Sequence, residues 1–356
     1  MCTIIGLPAI SASGLPGRRV EAMRAGITTM GFKGVGFLDR EPAEAFRMWV
    51  EGAIPFPYGG GSLRMRSSAR NAGWVGRLMF ASSGFFLTGM NLGVETLPVI
   101  DLDRYVAAAV AAADAAGAVI RPLFRGAVAA DLKADQSPVT IADRGAELAM
   151  RAVLNQSCPE CGILGEEFGV ERPEATLRWV LDPIDGTRAF ITGRPTFGTL
   201  VALLDGDFPL VGIIDQPVTG ERWIGASGRP TTFAGSLGGR AGTRACPALG
   251  LAELSCTSPE MLADDWPRWR KLAGLVRRNY WGGDCYAYGL LALGQIDVVV
   301  ECDLKPWDWA ALLPVIVGAG GAVTDWQGRP PRVEGDGRII AVGDPGLLPA
   351  VVAALA

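Results

Sequence analysis

The chain has 356 residues, of which 49% are hydrophobic, with a formal net charge of −4 and an isoelectric point near 5.2; that is enough apolar material for one large or two medium domains with a sizeable core. It carries no basic tail or polybasic run, so a small soluble molecule is the expected partner, with no nucleic acid polymer and no membrane. Histidine is absent altogether, which removes serine or cysteine triads built on a histidine base, histidine-ligated zinc and phosphohistidine chemistry, and leaves carboxylates, hydroxyls, lysine and metal ions to carry any catalysis.

The first hundred residues are rich in glycine, serine and arginine and hold 10 Lys/Arg against 6 Asp/Glu. Their weak periodicity predicts a poorly ordered N-terminal extension over residues 1–95. The apolar stretch from Trp74 to Leu92 is interrupted by Arg77, Gly84, Gly89 and Asn91 and makes a poor membrane span. Met1 to Ile10 lacks the order of a secretory signal, and Met90 would serve as an alternative start. From Asp101 onward the patterning sharpens. An Ala-rich helix is predicted from Asp103 to Phe124, ended by Pro122 and Gly126, and a second from Thr140 to Asn155. Short apolar strands follow at 162–164, 179–181, 199–204, 210–215 and 222–226, separated by Gly, Pro and Asp turns. The glycine-rich stretch Gly235 to Gly242 divides an α+β half (residues 96–237) from an α/β half (residues 238–356). In the latter, strands at 276–280 and 298–300 alternate with helices at 284–293, 307–318 and from Pro345. The expected class is a mixed α/β fold of layered sheets and helices.

Seven scattered cysteines suit a reducing cytoplasm better than a disulfide framework, and Cys158-Pro-Glu-Cys161 reads as ordinary loop cysteines because no second pair completes a zinc site.

The chemistry concentrates in Trp179-Val-Leu-Asp-Pro-Ile-Asp-Gly-Thr187, an apolar strand running into a polar turn. Pro183 restrains the backbone between Asp182 and Asp185, so the two carboxylates leave the strand end in a limited geometry. Magnesium wants hard oxygen ligands in near-octahedral array, and fixed carboxylates with a peptide carbonyl, here that of Ile184, supply part of such a shell. Gly186 lets a phosphate approach the backbone and Thr187 offers a hydroxyl and an N–H. Taken alone, the segment reads as a common Pro-Asp-Gly turn and Asp308 as a helix N-cap, and Asp143 could likewise be a solvated first-turn acid. Gly165-Glu166-Glu167 and Trp307-Asp308 add two further acids at element ends, where functional residues gather on α/β folds.

Together these segments resemble the inositol monophosphatase superfamily over essentially all of Asp101 to Ala356. The resemblance rests on a Gly-Glu-Glu element, the Trp-x-x-Asp-Pro-x-Asp-Gly-Thr element, and a late Trp307-Asp308-Trp309-Ala310 running to Ala319-Gly320-Gly321. It implies an inositol monophosphatase/fructose-1,6-bisphosphatase-like αβαβα sandwich, two or three Mg2+ ions, and a homodimer of the kind common in the superfamily. It also implies metal ligation by Glu166, Asp182, the Ile184 carbonyl, Asp185 and Asp308. Asp143 and Thr187 would orient and deprotonate the attacking water, and the Gly186 and Thr187 N–H groups would hold the phosphate. Within the superfamily, Phe190 to Leu200, Gly282 to Tyr288 and Leu304 to Asp308 look closest to the histidinol-phosphatase branch, with inositol phosphate or adenosine 3′,5′-bisphosphate as alternative substrates. Asp284 and Glu301 are the acids placed to meet an ammonium or imidazole, although an acid at 301 would also bind a sugar hydroxyl and Asp284 would also serve as a helix cap. Trp281, Tyr286, Tyr288, Trp307 and Trp309 offer rings for stacking or for the core, and Arg188 and Arg194 offer charge to a phosphate. A catalytically silent binder of phosphorylated ligands is the rival class; loss of a metal acid would announce it, and none of the expected acids is missing.

Overall fold

An alanine-rich run can bury a helix face closely, and Asp101 starts one by accepting the N–H groups of Asp103 and Arg104 at 3.1 and 3.3 Å. In the computed structural model, which describes residues 62–66, 75–79, 100–126, 130–132 and 138–356, this helix, α1, spans Leu102–Ile120. The chain divides into Met1–Ile100 and Asp101–Ala356. Within the first unit, strands β1 (Ser62–Arg66) and β2 (Val75–Met79) pair antiparallel, Ser62 opposite Met79; the rest of the expected extension, and with it the readings of Met1 to Ile10 and most of Trp74 to Leu92, lies outside the described residues.

In the second unit α1 stops at Ile120, short of the expected Phe124, because Pro122 has no N–H to continue the ladder; a 3-10 turn over Arg121–Leu123 replaces it. Residues Leu102–Leu123 are long and apolar enough to cross a membrane by composition, but their alanine face is buried against the rest of the unit. Strands β3 (Ala130–Leu132) and β4 (Pro138–Thr140) form a small ribbon that leads into helix α2 (Ile141–Ser157).

Seven strands follow: β5 (Gly162–Gly165), β6 (Gly169–Glu171), β7 (Leu177–Asp185), β8 (Gly198–Asp205), β9 (Phe208–Gln216), β10 (Glu221–Ala226) and β11 (Thr232–Ala234), with the five-residue helix α3 (Thr187–Ile191) between β7 and β8. Their order is β11-β10-β9-β8-β7-β5-β6, antiparallel except where β5 runs parallel to β7. The glycine-rich stretch 235–242 then leads to a five-stranded sheet. It is ordered β13 (Arg278–Trp281), β12 (Glu253–Cys256), β14 (Val298–Glu301), β16 (Ile339–Val342), β15 (Ala322–Thr324). Its helices are α4 (Trp266–Ala273), α5 (Asp284–Ala292), α6 (Pro306–Trp309), α7 (Leu312–Ala319) and α8 (Leu348–Leu355).

Five layers result. Helices α1 and α2 cover one face of the larger sheet; α5 and α7 lie between the sheets; α4 and α8 cover the outer face of the smaller one. Strand alternation assigns the faces: Val298 and Val300 of β14 join the outer core with Leu254, Trp269 and Val351, while Val299 joins the inner core with Trp223, Leu291 and Ile316. Glu301, two residues after Val299, therefore stands on the inner side. The αβαβα sandwich expected from the sequence is the observed architecture.

Two further elements near the centre of the chain's motifs differ from expectation. The strand expected to end at Leu181 runs on to Asp185. The single helix expected over 307–318 is two, α6 and α7, because Pro314 cannot donate to the Ala310 carbonyl and its ring crowds that turn.

Candidate active site

In a regular strand, residues three apart face opposite sides of the sheet. Asp182 pairs with Leu200 and Asp185 with Gly198, so β7 spends three steps where β8 spends two. This β-bulge holds one extra residue and turns both carboxylates to the same side. Pro183, with no N–H to lose from the ladder, is one of the two residues between them, and its carbonyl accepts the Thr199 hydroxyl at 2.8 Å. Asp182 Oδ1 accepts the Ile184 N–H at 3.0 Å, tightening the turn. The first turn of α6 brings a third acid: carboxylate oxygens of Asp182, Asp185 and Asp308 all lie within 4.8 Å of one another. Asp308 also accepts the Lys305 N–H at 2.6 Å, so it caps its helix from the third position, not from the N-cap, and serves the cluster as well.

Glu166 is held at the end of β5 by its N–H to the Leu181 carbonyl, 3.2 Å, and its side chain hydrogen-bonds Asp182. The loop carrying it is anchored by a residue the motifs did not reveal. Glu147 of α2 is fully buried; Oε2 accepts the Glu167 N–H at 2.7 Å, and Oε1 accepts the Phe168 N–H at 3.3 Å and Arg151 Nε at 2.8 Å. A Cβ at Gly165 would lie 2.0 Å from Glu147 Oε1, so only glycine leaves room for this anchor. The signal was present in the sequence: Asp143, Glu147 and Arg151 repeat at spacing four and so share one helix face.

Asp143 heads that face. Its Oδ2 accepts the Thr140 N–H and hydroxyl at 2.7 and 2.6 Å in a capping box. It is buried, not solvated. The Thr187 hydroxyl lies 3.2 Å from both Asp143 Oδ1 and the Ile184 carbonyl, and its single proton goes to one of them at a time. Between the motif acids and Thr187, Gly186 sits at φ 91°, and a Cβ there would come within 2.8 Å of the Asp284 carboxyl carbon. Conformation and close approach both demand glycine.

Asp284 makes no capping hydrogen bond at the start of α5; Gly283 precedes it, and Asp284 itself holds the uncommon φ of 44° for a residue with a side chain. It lines a cavity of about 120 Å³ with Asp185, Thr257, Cys285, Tyr288, Glu301 and Asp308. Glu301 is fixed on both oxygens, by the Thr257 N–H at 2.7 Å and the Tyr288 hydroxyl at 2.8 Å. The Cys285 N–H donates to Asp185 Oδ2 at 2.5 Å, tying the inner helix to the larger sheet.

Burial and mutual repulsion govern these acids. Burial, then the charges of Glu166, Asp185 and Asp308, hold Asp182 well above the ordinary carboxylate range. Burial, then Asp284 and Asp308, do the same for Asp185 against the Cys285 N–H. Burial pushes Asp308 up to about 7, opposed by the Lys305 N–H and reinforced by Glu166 and Glu301. Asp284 is pushed up to about 7 by burial and Glu301, against Arg188. Burial also raises Glu301 and Asp143. Among the described residues no Lys or Arg forms an ion pair with Asp182, Asp185 or Asp308. An all-oxygen, uncompensated anionic set of this kind fits a hard divalent cation, which would restore the ionised forms.

The expected aromatic cluster disperses. Tyr288 alone lines the cavity; Trp309 is core, Trp307 packs beside it, Tyr286 donates to Glu221 at 2.7 Å, and Trp281 stacks with Trp266 and Trp269. Arg188 is near enough to act on Asp284. The cysteines of Cys158-Pro-Glu-Cys161 are not ordinary loop cysteines: the turn after α2 brings their Cα atoms to 5.5 Å and they form a disulfide, both side chains buried.

Residues 101–356 match the model of the inositol monophosphatase family. The chain is 48% identical over 232 residues to the chloroplastic bifunctional phosphatase IMPL2 of Arabidopsis thaliana, covering 64% of this chain and 66% of that protein, just under two thirds of its length. It is 37% identical over 215 residues to a histidinol-phosphatase of Chlorobaculum parvum, covering 59% of this chain and 80% of the relative. Among solved structures, an inositol monophosphatase from Zymomonas mobilis superposes with a TM-score of 0.66 at 49% identity, over 72% of this chain and 98% of the other.

Proposed function

The chain belongs to the inositol monophosphatase family, and on that premise we propose that it is a magnesium-dependent phosphomonoesterase whose substrate is histidinol phosphate. The observation that carries the reaction class is the convergence of Asp182, Asp185 and Asp308 within 4.8 Å from a strand bulge and a separate helix. These three, with Glu166 and the Ile184 carbonyl, would hold the cations. Magnesium bound there supplies positive charge for a phosphate dianion and a water of lowered pKa.

The chain's own groups do the rest. Thr187 Oγ1 accepts a hydrogen bond from the attacking water while its proton is held by Asp143 Oδ1, so a proton leaving the water passes through the hydroxyl to Asp143. Burial makes Asp143 a stronger base than an exposed aspartate. The Gly186 and Thr187 N–H groups at the turn after β7 receive the phosphoryl oxygens. Asp284 and Glu301 line the cavity beyond Asp185 and offer a negative wall to the leaving alcohol. An alcohol carrying an ammonium gains from that wall more than a neutral polyol does. The histidinol-phosphatase names among relatives at 34–37% identity support the same substrate.

Inositol monophosphate is the second reading, favoured by the likeness to the Zymomonas mobilis structure. Phosphate release by the full chain from histidinol phosphate, inositol 1-phosphate and adenosine 3′,5′-bisphosphate at fixed magnesium decides between them. The highest kcat/KM is expected for histidinol phosphate; equal or reversed rates overturn the substrate, and no magnesium-dependent release from any ester overturns the class.

A further inference from the structure

At the end of β7 away from the acids lies a second, larger cavity of about 390 Å³, within the ~300–1,000 Å³ of small-molecule sites. Its walls come from the segment entering β7 (Thr176, Arg178), the β8–β9 turn (Gly206, Asp207) and the loop between β15 and β16 (Arg332, Glu334). Two observations set it apart from an ordinary surface hollow. Among the described residues neither guanidinium has an acidic partner: Arg178 Nη2 donates to the Pro173 carbonyl at 2.8 Å and its Nε is buried with no hydrogen bond, while Arg332 makes no ion pair. Other arginines of this unit are held in ion pairs, among them Arg151, Arg222, Arg244, Arg278 and Arg338. The second observation is that the two acids lining the cavity form no ion pair with the arginines. Asp207 Oδ1 instead accepts the Val333 N–H at 3.1 Å, fixing the loop, and Glu334 makes no ion pair among the described residues.

Two guanidinium groups and two carboxylates, with no ion pair to any of the four among the described residues, line one cavity, and such a lining complements a molecule that carries both charges. We propose that this cavity is a binding site for a small zwitterion of the α-amino acid type, its carboxylate on Arg178 and Arg332 and its ammonium on Glu334 and Asp207. A planar guanidinium meets a carboxylate through two parallel N–H bonds, which explains arginine in place of lysine at both positions. A bare anion such as phosphate would leave the two acids repelling it. The site is separate from the phosphatase centre: Arg178 precedes Asp182 by four residues of extended strand, about 13 Å. Occupancy therefore does not compete with a phosphate ester, and the inference does not rest on which ester is cleaved.

The test is isothermal titration of the full chain with a panel of α-amino acids of differing side chain, each beside the amine lacking its carboxylate and the acid lacking its ammonium. Inorganic phosphate is added as a separate arm. At least one amino acid is expected to bind, with its two single-charge counterparts about tenfold weaker or worse. Arg332→Met and Glu334→Gln, both exposed positions outside the phosphatase centre, are each expected to weaken that binding about tenfold while leaving ester hydrolysis without the amino acid unchanged. The proposal is overturned if no amino acid binds, or if binding survives both substitutions. It is overturned equally if phosphate binds as tightly with dependence on Arg332 and none on Glu334, which would make the cavity a simple anion site.

Discussion

Replacing Asp308 by Asn should stabilise the protein when magnesium is stripped away and destabilise it, relative to wild type, when magnesium is abundant. Burial holds the Asp308 carboxyl at about 7 against an ordinary 3.8. A folded-state pKa above the unfolded one means the folded protein binds the extra proton, so the associated stability is complete below pH 3.8 and disappears as pH rises toward 7. The gap of about three pH units corresponds to ~4 kcal/mol at ~1.4 kcal/mol per unit. Because Asp182, Glu166 and Asp308 share their repulsion, removing one charge recovers about half of that, ~2 kcal/mol. Asparagine keeps an oxygen for the Lys305 N–H, so the helix start survives. The assay is urea unfolding of the full chain in chelator, followed by near-ultraviolet circular dichroism. The two proteins should coincide near pH 4, and the variant's advantage should open between pH 4 and 7 and stay level above. Saturating magnesium reverses the order, since a ligand at a hundred times its Kd adds about 2.7 kcal/mol to the protein able to bind it. A variant less stable than wild type in chelator at pH 8, or a difference that ignores pH, would refute the account of the cluster as uncompensated charge.

Asp182→Asn should lower kcat by about a thousandfold or more while leaving far-ultraviolet circular dichroism unchanged, since it removes a central carboxylate from the cation-binding set; retained turnover means the metal acids have been misassigned. Gly165→Ala forces a methyl group against Glu147 and should cost about 1–3 kcal/mol in urea unfolding, with a larger proportional fall in kcat because the Glu166 loop loses its anchor; stability and activity both at wild-type level would show that Glu147 is idle. Tyr288→Phe leaves Glu301 with only the Thr257 N–H and should cost about 1–3 kcal/mol in kcat/KM for an ammonium-bearing ester. An equal loss on inositol 1-phosphate would show that the hydroxyl supports the fold and not substrate choice.

Much of the site was legible because the chemistry is local. Asp182, Pro183 and Asp185 sit in one short segment, and the capping pair Thr140 and Asp143 announces its helix. What stayed hidden depends on pairing between distant strands. No reading of β7 alone shows that Asp182 faces Leu200 and Asp185 faces Gly198, yet that offset is what puts both acids on one side. The i, i+4 spacing of Asp143, Glu147 and Arg151 places Glu147 on their helix face, but its role as an anchor exists only where the Gly165 loop crosses it. The short strands Glu253–Cys256, Ala322–Thr324 and Ile339–Val342 were not foreseen, because apolar runs of three or four residues do not declare a period. Pro314 was visible, and the break in the 307–318 helix follows from it. The Cys158–Cys161 bond was misjudged by weighing motif context above the short reach of a four-residue turn.

The acids of the centre come from both sides of the sandwich: Asp182 and Asp185 from the larger sheet, Glu301 and Asp308 from the strand and helix of the later half, with the glycine-rich stretch 235–242 between them in the chain. Neither half on its own holds a complete set of donors. A chain cut within that stretch and expressed as two pieces would hydrolyse nothing until the pieces found each other, so that turnover becomes a direct readout of reassembly, and cations, by bridging the two, would act as the glue.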